Sequence, residues 1–354
     1  MKIFVLLITL SIVSLVHAQE DNDVKIIIGE AIEKMEEGDI KGSLKLLKKA
    51  KKLEPNNITV DYETAFAYGL DKNFKKAIAT CEKMTEHPDV FARVYQMLGN
   101  NYDYNEEPEK AIEAYERGMN IFPNSGPLYL ERGNMELMKD EFNNALTYYI
   151  TGIEVDPKHS SNYYRAAKLY LASEDTYLGL IYGELFMNLE RGSARTSEMS
   201  ELLYNAYDTG IEYISDTSMS VNFASDKIDL TDGDLENLKL PYGVIVYAPV
   251  ITISLIGTDE VSLSSLAKIR ANFINIYYEQ KHNEEYPNVL FEYHKEMIAD
   301  GHFEAYNHWL MMKGDSDAFD QWLETNQEKW DDFINWYNPN PIEITAQNKF
   351  EQPK

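Results

Sequence analysis

Small residues recur along this chain at intervals of 34 residues, and this recurrence limits the fold more than any other feature. One series is Ala or Gly throughout: Ala31, Ala65, Gly99, Gly133 and Ala167. A second series has the same interval: Ser43, Ala77, Ala111, Ala145 and Gly179. A third is less strictly small: Ala50, Met84, Gly118, Gly152 and Phe186. Prolines follow, with only the second out of register: Pro55, Pro88, Pro123 and Pro157. Such a period predicts stacked copies of one unit, because neighbouring units bury each other's apolar faces.

A unit of 34 residues with small residues at positions 8, 20 and 27 and proline at position 32 resembles the tetratricopeptide repeat, a helix-turn-helix unit. The resemblance covers residues 24–192, or about five units. It implies an α-solenoid in which positions 8 and 20 lie where the two helices of a unit cross. Asp61 and Gly183 stand where larger side chains are expected to fill space. The second and fifth units therefore depart most from the pattern.

The first helices of such a solenoid line its concave face, where equivalent positions form a ladder. Position 9 is occupied in turn by Ile32, Phe66, Asn100, Asn134 and Lys168. Position 5 is occupied by Ile28, Tyr62, Gln96, Leu130 and Tyr164. Amides donate and accept hydrogen bonds and an ammonium group supplies charge, so this ladder is a candidate site for a peptide backbone or a carboxylate.

The residues of this candidate partner-binding site are Asn100, Asn134, Lys168, Gln96 and Tyr164. Some members of the repeat family bind a C-terminal carboxylate with Lys, Asn and Arg at set positions. Gln96 or Leu130 stands where that Lys is expected, so the complete clamp is absent. Solvated polar residues on an exposed helix face explain the same pattern, and this alternative is favoured because exposed Asn and Lys are common.

Helical patterns continue after the period fades at Ser193. We expect a capping or extending helix over 193–214, a polar acidic loop over 215–241, a helical region over 242–340 and a frayed tail over 341–354. The apolar run 243–256 carries no decisive period; its helical flanks favour a helix over a strand. The predicted fold class is therefore all-α, a repeat solenoid continuing into a C-terminal helical array.

Two other functions stay open in the C-terminal region. The four tryptophans all lie there: Trp309, Trp322, Trp330 and Trp336. Aromatic residues at helical spacing favour a core, but they could form a platform for a glycan or another small ligand. His302 and His308 are candidates for a metal-dependent enzyme, yet a helical zinc site needs His at i and i+4. We predict no enzyme, no metal and no cofactor.

The N-terminus predicts export. Lys2 precedes an apolar run over 3–16, which is typical of a signal peptide cleaved after Ala18. The run is shorter than the roughly 20 apolar residues of a spanning helix, and no other segment predicts a transmembrane helix. Gln19 follows the cleavage site, whereas a lipoprotein needs Cys there. We expect a periplasmic or extracellular protein that is not a lipoprotein.

Composition limits the partners. The net charge is −26, and such an acidic surface repels phosphate backbones, so nucleic acid is not an expected partner. Cys81 is the only cysteine, which excludes an intramolecular disulfide and predicts a small buried hydrophobe. Taken whole, the chain resembles exported repeat proteins of Gram-negative bacteria, particularly the Bacteroidetes. That resemblance implies a non-catalytic scaffold that binds a protein or peptide in the cell envelope; the oligomeric state stays open.

Overall fold

Helix pairs repeat along the first half of the chain with the predicted period. The computed structural model describes residues 23–215, 218–225 and 241–351. They divide into two units, unit 1 ending at Met135 and unit 2 beginning at Glu136. Unit 1 contains α1 (23–36), α2 (Ile40–Leu53), α3 (Ile58–Leu70), α4 (Phe74–Met84), α5 (Ala92–Tyr104), α6 (Pro108–Ile121) and most of α7 (Gly126–Leu137). The odd-numbered helices of unit 1 are the first helices of the predicted repeats.

Small residues in unit 1 lie at helix crossings, as predicted. A Cβ atom on Gly118 would lie 2.6 Å from the Cβ of Tyr95, on the first helix of the same pair. In the reverse direction, a Cβ on Gly99 would overlap the ring of Tyr115. Tyr95 and Tyr115 are buried in one cluster with Leu128. Each glycine therefore makes room for a tyrosine of the opposite helix, and the two helices pack closely at both of these contacts.

Cys81 and Asp61 show how other positions of the repeat are filled. Cys81 is fully buried, and burial raises the pKa of its thiol to about 12, which confirms the prediction of an inert hydrophobe. Asp61, which departs from the repeat pattern, lies 2.6 Å from the ammonium of Lys51. The ion pair satisfies a carboxylate at a position where other units place an apolar side chain.

Unit 2 continues with helices and one short hairpin. Its remaining elements are α8 (Phe142–Val155), α9 (Ser160–Leu171), α10 (Thr176–Leu189), α11 (Ala194–Gly210), β1 (Ile211–Ser215), β2 (Ser218–Val221), a π-helical segment (Gly243–Tyr247), α12 (Ala248–Ser254), α13 (Leu263–Glu279), α14 (His282–Glu285), α15 (Val289–Ala299), α16 (Phe303–Met311) and α17 (Ser316–Tyr337). The predicted all-α class is confirmed. Strands β1 and β2 pair antiparallel.

Helix α10 is the centre of unit 2. Every residue from Tyr177 to Asn188 is buried, so α10 is covered on all sides although it belongs to the fifth repeat. A Cβ on Gly183 would lie 2.8 Å from Met199 and 2.9 Å from Leu203, so side chains of α11 fill the space that the repeat pattern left empty. The sequence left open whether the C-terminal helices form a domain separate from the repeats. In the structure, α8–α10 and the C-terminal helices belong to one compact unit.

The structure differs from the sequence expectations at three places. The helix predicted over 193–214 ends at Gly210, because Ile211 begins a strand whose partner reaches Val221. The loop predicted over 215–241 contains β2, while residues 226–240 lie outside the described part of the chain. The predicted frayed tail buries Ile344 and Phe350, and the ring of Phe350 packs on Tyr182 at 5.5 Å. These apolar contacts offset the entropy cost of ordering irregular chain.

The apolar run 243–256 is helical, as the flanking sequence favoured. It begins with the π-helical segment and changes to α12 next to Pro249. Proline has no amide hydrogen to donate, so it is tolerated where the hydrogen-bond pattern changes. Helix α17 is kinked at Asn326, whose backbone angles are non-helical.

The glycine contacts of unit 1 predict opposite effects for two glycine-to-alanine changes. Gly118→Ala should lower the free energy of unfolding by about 1–3 kcal/mol, because its methyl group meets Tyr95 in a packed crossing. Gly29→Ala on α1 has no atom within 4 Å of the new methyl group and should stabilise by up to about 1 kcal/mol through helix propensity. Urea unfolding of the two variants measures both values. Equal effects at the two sites would contradict the assignment of Gly118 to a close crossing.

Candidate functional site

Three of the predicted site residues lie in unit 1, on α5 and α7, and a glutamate joins two of them. The carboxylate of Glu131 accepts hydrogen bonds from Gln96 Nε2 and Asn134 Nδ2, each at 3.0 Å. Asn100 is bound differently, since its Oδ1 accepts from the hydroxyl of Tyr115 at 2.6 Å. All three amides are half-buried. Gln96 and Asn134 thus belong to a hydrogen-bonded polar cluster around Glu131, a residue that the sequence argument did not single out.

The charge of this polar cluster is negative. Asp103 lies one turn beyond Asn100 on α5, and burial together with the nearby Glu131 carboxylate raises its pKa. Burial and the same carboxylates raise the pKa of Tyr115 strongly, which keeps the phenol protonated as a donor to Asn100. Carboxylate oxygens that face one another attract hydrogen-bond donors and cations. The cluster therefore suits a peptide N–H or a basic side chain better than the carboxylate that the sequence left as an option.

Apolar side chains are exposed on the first helices of unit 1, at positions 9 and 13 of the repeat. Ile32 and Phe66 occupy position 9 of the first two repeats, and they are 36% and 45% exposed. Leu70 and Tyr104, both at position 13, are 47% and 65% exposed. Single exposed apolar residues are normal, but recurrence at equivalent positions of successive helices produces a surface. We call these four residues the apolar face of unit 1.

The other two predicted site residues lie in unit 2, on α9. The ammonium of Lys168 lies 2.6 Å from a carboxylate oxygen of Glu198, and the hydroxyl of Tyr164 donates to the other oxygen. The hydrogen bond to Glu198 raises the pKa of Lys168, and hydrogen bonds from Lys168 and Tyr164 lower the pKa of Glu198. The guanidinium of Arg195 lies 5.1 Å above the Tyr164 ring. The Lys168 charge is thus already compensated by Glu198.

A repeat-spaced signal could have found these glutamates. Glu198 lies 34 residues after Tyr164, and Glu131 lies 35 residues after Gln96. Residues one period apart lie on adjacent first helices, so a carboxylate one period from a donor is a candidate partner. The sequence argument looked along each ladder position for similar residues and did not test complementary pairs.

Of the four tryptophans, Trp322 is buried in the core of unit 2, and Trp309, Trp330 and Trp336 are half-buried. Trp322 is buried and stacks on His308 with ring centroids 4.0 Å apart, and its indole nitrogen donates to Glu304 at 3.1 Å. Phe333 and Tyr337 are buried beside it along α17. Trp336 is half-buried and donates to Asp300 at 3.0 Å. The core interpretation is confirmed for Trp322.

The histidines of the enzyme alternative lie in different surroundings. His308 is fully buried, with Nδ1 at 2.9 Å from the carbonyl of Glu304, while the ring of His302 lies against Trp336 at 5.2 Å. Within residues 23–215, 218–225 and 241–351, no three His, Cys, Asp or Glu side chains are placed to hold a metal ion. In the same part of the chain, none of the helices combines the length and apolarity that a membrane crossing requires.

A buried ionic cluster around Glu184 is the densest polar arrangement of unit 2. The Glu184 carboxylate accepts from Arg270 Nη2 at 2.6 Å, His294 Nε2 at 2.7 Å and the Tyr306 hydroxyl at 2.8 Å. These groups come from α10, α13, α15 and α16, and all are buried. The Asn188 amide donates to the same hydroxyl at 2.7 Å. A cavity of about 20 Å³ beside Glu184, Arg270 and His294 has room for one water molecule.

The electrostatics of the Glu184 cluster are those of a structural ion pair. Burial alone would raise the pKa of Glu184, but Arg270 and then His294 outweigh it and lower the value to about 2. Burial also lowers the pKa of His294, and Arg270 lowers it further against the opposing effect of Glu184. His294 is therefore neutral and Glu184 is charged near neutral pH. The buried hydrogen bonds of the cluster join α10, α13, α15 and α16.

Comparison with known proteins agrees with the repeat architecture. Residues 92–125, the third helix pair, match the model of the tetratricopeptide repeat family. The chain is 28% identical over 137 residues to human Tetratricopeptide repeat protein 21B, a match that covers 39% of this chain and 10% of the human protein. The chain therefore spans about a tenth of the length of that relative.

Two solved structures are similar at the level of helical repeats. Pseudomonas aeruginosa pilF is 15% identical, with a TM-score of 0.45 over 54% of this chain and 86% of that chain. YrrB, titled a TPR protein with an unusual peptide-binding site, is 20% identical, with a TM-score of 0.34 over 51% of this chain and 94% of that chain. The matched residues lie on α5 and α6, and the other helix pairs of unit 1 follow at the same spacing.

The Glu184 cluster predicts loss of stability in mild acid. His294 has a lower pKa in the folded protein than its ordinary value of 6.5, so the unfolded chain binds more protons as the pH falls below 6.5. Folding stability should therefore fall from pH 7 to pH 5. His294→Gln keeps a donor to Glu184 but cannot titrate, so its free energy of unfolding should fall less over this range. Urea titrations at each pH measure the two slopes, and parallel slopes would contradict the role of His294.

Proposed function

We propose that this protein is a non-catalytic scaffold that binds a protein or peptide partner on the first helices of its repeats, and that it works after export, in the cell envelope. The observation that carries the binding role is the apolar face of unit 1. Ile32, Phe66, Leu70 and Tyr104 are all exposed, while the same helices bury Ala31, Ala65 and Leu98 completely. The match of residues 92–125 to a repeat family supports the same role.

The chemistry of unit 1 defines the kind of partner segment it would bind. Apolar side chains would cover Phe66 and Ile32, and burying them gains about 25 cal/mol for each Å² removed from water. The polar cluster around Glu131 and Asp103 would then accept hydrogen bonds from backbone N–H groups or from a basic side chain. A peptide that combines an apolar stretch with a Lys or Arg satisfies both parts of the surface.

The N-terminal sequence supports the export part of the proposal. Residues 1–18 combine a lysine, an apolar run and a small residue before the expected cleavage point, which is the composition of a signal peptide. Edman or mass-spectrometric sequencing of the protein from fractionated cells tests it directly. A mature terminus at Gln19 in the envelope or external fraction is expected; an intact Met1 in the cytoplasmic fraction would overturn the export proposal and leave the binding proposal standing.

Partner capture with a matched pair of variants tests the binding role. Phe66→Asp should lower partner affinity at least tenfold, or about 1.4 kcal/mol, because it places a charge on the apolar face. Ile121→Asp, an equally exposed change on the second helix α6, should leave the affinity unchanged. The partner captured by residues 19–354 from host extracts is identified first, and its affinity for each variant is then measured by calorimetry.

A third variant separates the polar ladder from the apolar face. Asn100→Ala, Asn134→Ala and Lys168→Ala are combined in one protein, and thermal unfolding shows whether each variant is folded. Loss of binding in the triple variant as well as in Phe66→Asp would place the partner across both surfaces. Equal binding by Phe66→Asp, Ile121→Asp and the parent would reject the first helices as the binding surface.

A further inference from the structure

Helix α2 is strongly basic in an otherwise acidic chain. The protein has 59 acidic and 33 basic residues, yet the 14 residues of α2 contain no Asp or Glu. Its lysines are Lys41, Lys45, Lys48, Lys49, Lys51 and Lys52. Like charges three or four residues apart on a helix repel each other, so this helix gains stability when an anionic partner covers the lysines.

Five of these lysines form one stripe on the outer side of α2. They recur at intervals of three and four residues, which places them on one side of the helix. The opposite side buries Ser43, Leu47 and Ala50 in unit 1, so the stripe faces solvent over a length of about 17 Å. We call the following five exposed residues the lysine stripe: Lys41, Lys45, Lys48, Lys49 and Lys52.

The ammonium groups of the lysine stripe have no counterion among the residues that the structure describes. Lys51, on the flank of the same helix, pairs with Asp61 at 2.6 Å, whereas none of the five stripe residues forms an ion pair within the described ranges. The carboxylates at the two ends of α2 are engaged elsewhere. Asp39 accepts from the first turn of the helix at 2.9 Å, and Glu54 accepts from Asn57 at 2.6 Å.

The neighbouring second helix α4 extends the basic surface. Lys83 of α4 stands one period after Lys49 and is exposed. Second helices one period apart are neighbours, as the hydrogen bond of 3.2 Å from Arg117 of α6 to Thr85 at the end of α4 shows. Glu82, which follows Lys48 by one period, accepts from Tyr102 at 3.0 Å and lies 3.4 Å from Arg117. That carboxylate already has two partners of its own.

The remaining acidic charge of unit 1 does not cancel the stripe. Exposed carboxylates on α1 and after α4 belong to Glu30, Glu33, Glu36 and Glu86, and in the described part of unit 1 none of them is within ion-pair distance of a stripe ammonium. At physiological ionic strength, interactions between exposed charges are screened beyond about 8 Å. A flat anionic surface laid against α2 therefore meets the lysines rather than the net charge of the chain.

The composition of the stripe favours a lipid surface over a protein surface. Protein interfaces are enriched in Arg and aromatic residues and depleted of Lys, and α2 contains neither Arg nor an aromatic residue. An ammonium group is a point charge without the fixed fork of a guanidinium, so it suits mobile headgroup phosphates. Leu53 lies one turn after Lys49 and is 43% exposed. An apolar side chain beside lysines suits the boundary between headgroups and acyl chains, whereas nucleic acid phosphates offer it no contact.

We propose that the lysine stripe binds the surface of a membrane rich in anionic phospholipids. The ammonium groups would pair with headgroup phosphates, and each lysine near such a surface raises the binding constant about fivefold. Leu47 and Ala50 are fully buried in unit 1, so α2 would lie on the membrane without inserting its apolar side. The stripe belongs to a second helix and the apolar face of unit 1 to first helices, so failure of either proposal leaves the other standing.

Co-sedimentation with vesicles tests the proposal. Residues 19–354 are used, because the apolar run 3–16 could itself bind lipid. The protein should sediment with vesicles that contain about 30% phosphatidylglycerol in phosphatidylcholine, and not with phosphatidylcholine vesicles. Raising the salt from about 0.1 M to about 0.5 M should release it, because the attraction is between exposed charges.

Three pairs of substitutions locate the binding surface. Lys45→Glu with Lys49→Glu should lower the partition coefficient by about 25-fold or more, because two attractive charges become repulsive. Lys45→Arg with Lys49→Arg keeps the charge and should bind like the parent. Lys158→Glu with Lys313→Glu makes the same charge change at exposed positions of unit 2 and should leave binding unchanged. Thermal unfolding shows whether each variant is folded, and Lys45→Gln with Lys49→Gln replaces the glutamate pair if that pair is not.

Four results would overturn the proposal. The first is no sedimentation with the anionic vesicles at low salt. The second is an equal loss of binding in the stripe and control variants, which would indicate a response to total charge. The third is binding to neutral vesicles that persists at high salt, which would indicate apolar insertion. The fourth is displacement of the vesicles by duplex DNA or polyglutamate at equal charge, which would assign the stripe to acidic polymers.

Discussion

The close crossing of two helices at residues with little or no side chain is the constraint on which this structure depends. Tyr95 packs against Gly118, and Tyr115 packs against Gly99. Each helix of the third pair therefore contributes one glycine and one tyrosine to the crossing. The same geometry returns in unit 2, where a Cβ on Gly179 would lie 2.6 Å from the backbone nitrogen of Leu171. Because packed cores tolerate little extra volume, the spacing of these residues fixes which helices meet and at which turn.

The repeat geometry also explains which hydrogen-bond donors bind some of the carboxylates of this acidic chain. Equivalent turns of successive first helices are neighbours, so a carboxylate one period from a donor comes within hydrogen-bond distance of it. Glu131 accepts hydrogen bonds from Gln96 and Asn134 in unit 1. Glu198 accepts hydrogen bonds from Tyr164 and Lys168 in unit 2. Partly exposed pairs of this kind contribute little to stability. Their main effect is on recognition, since they decide which donors and acceptors remain for a ligand.

The local parts of this fold could be predicted from the sequence, and the non-local parts could not. Periodicity located the helix pairs and the buried Cys81, and flanking patterns were sufficient to identify the helix over 243–256. The central position of α10 was missed, because the repeat template assigns it a partly exposed place. Glu184 is 86 residues from Arg270 and 110 from His294, and no spacing rule relates such positions. The candidate site residues were identified from the sequence as a ladder. Their glutamate partners could be identified only from the structure, which shows which helical turns lie side by side.

The Glu184 cluster accounts for the different character of unit 2. A buried ion pair gains little net stability over an apolar core, because desolvation offsets its attraction, but removing one partner leaves an uncompensated charge. Helices α10, α13, α15 and α16 must therefore all be present, and in one arrangement, for Glu184 to be satisfied. That requirement selects one packing of apolar helices that would otherwise have several.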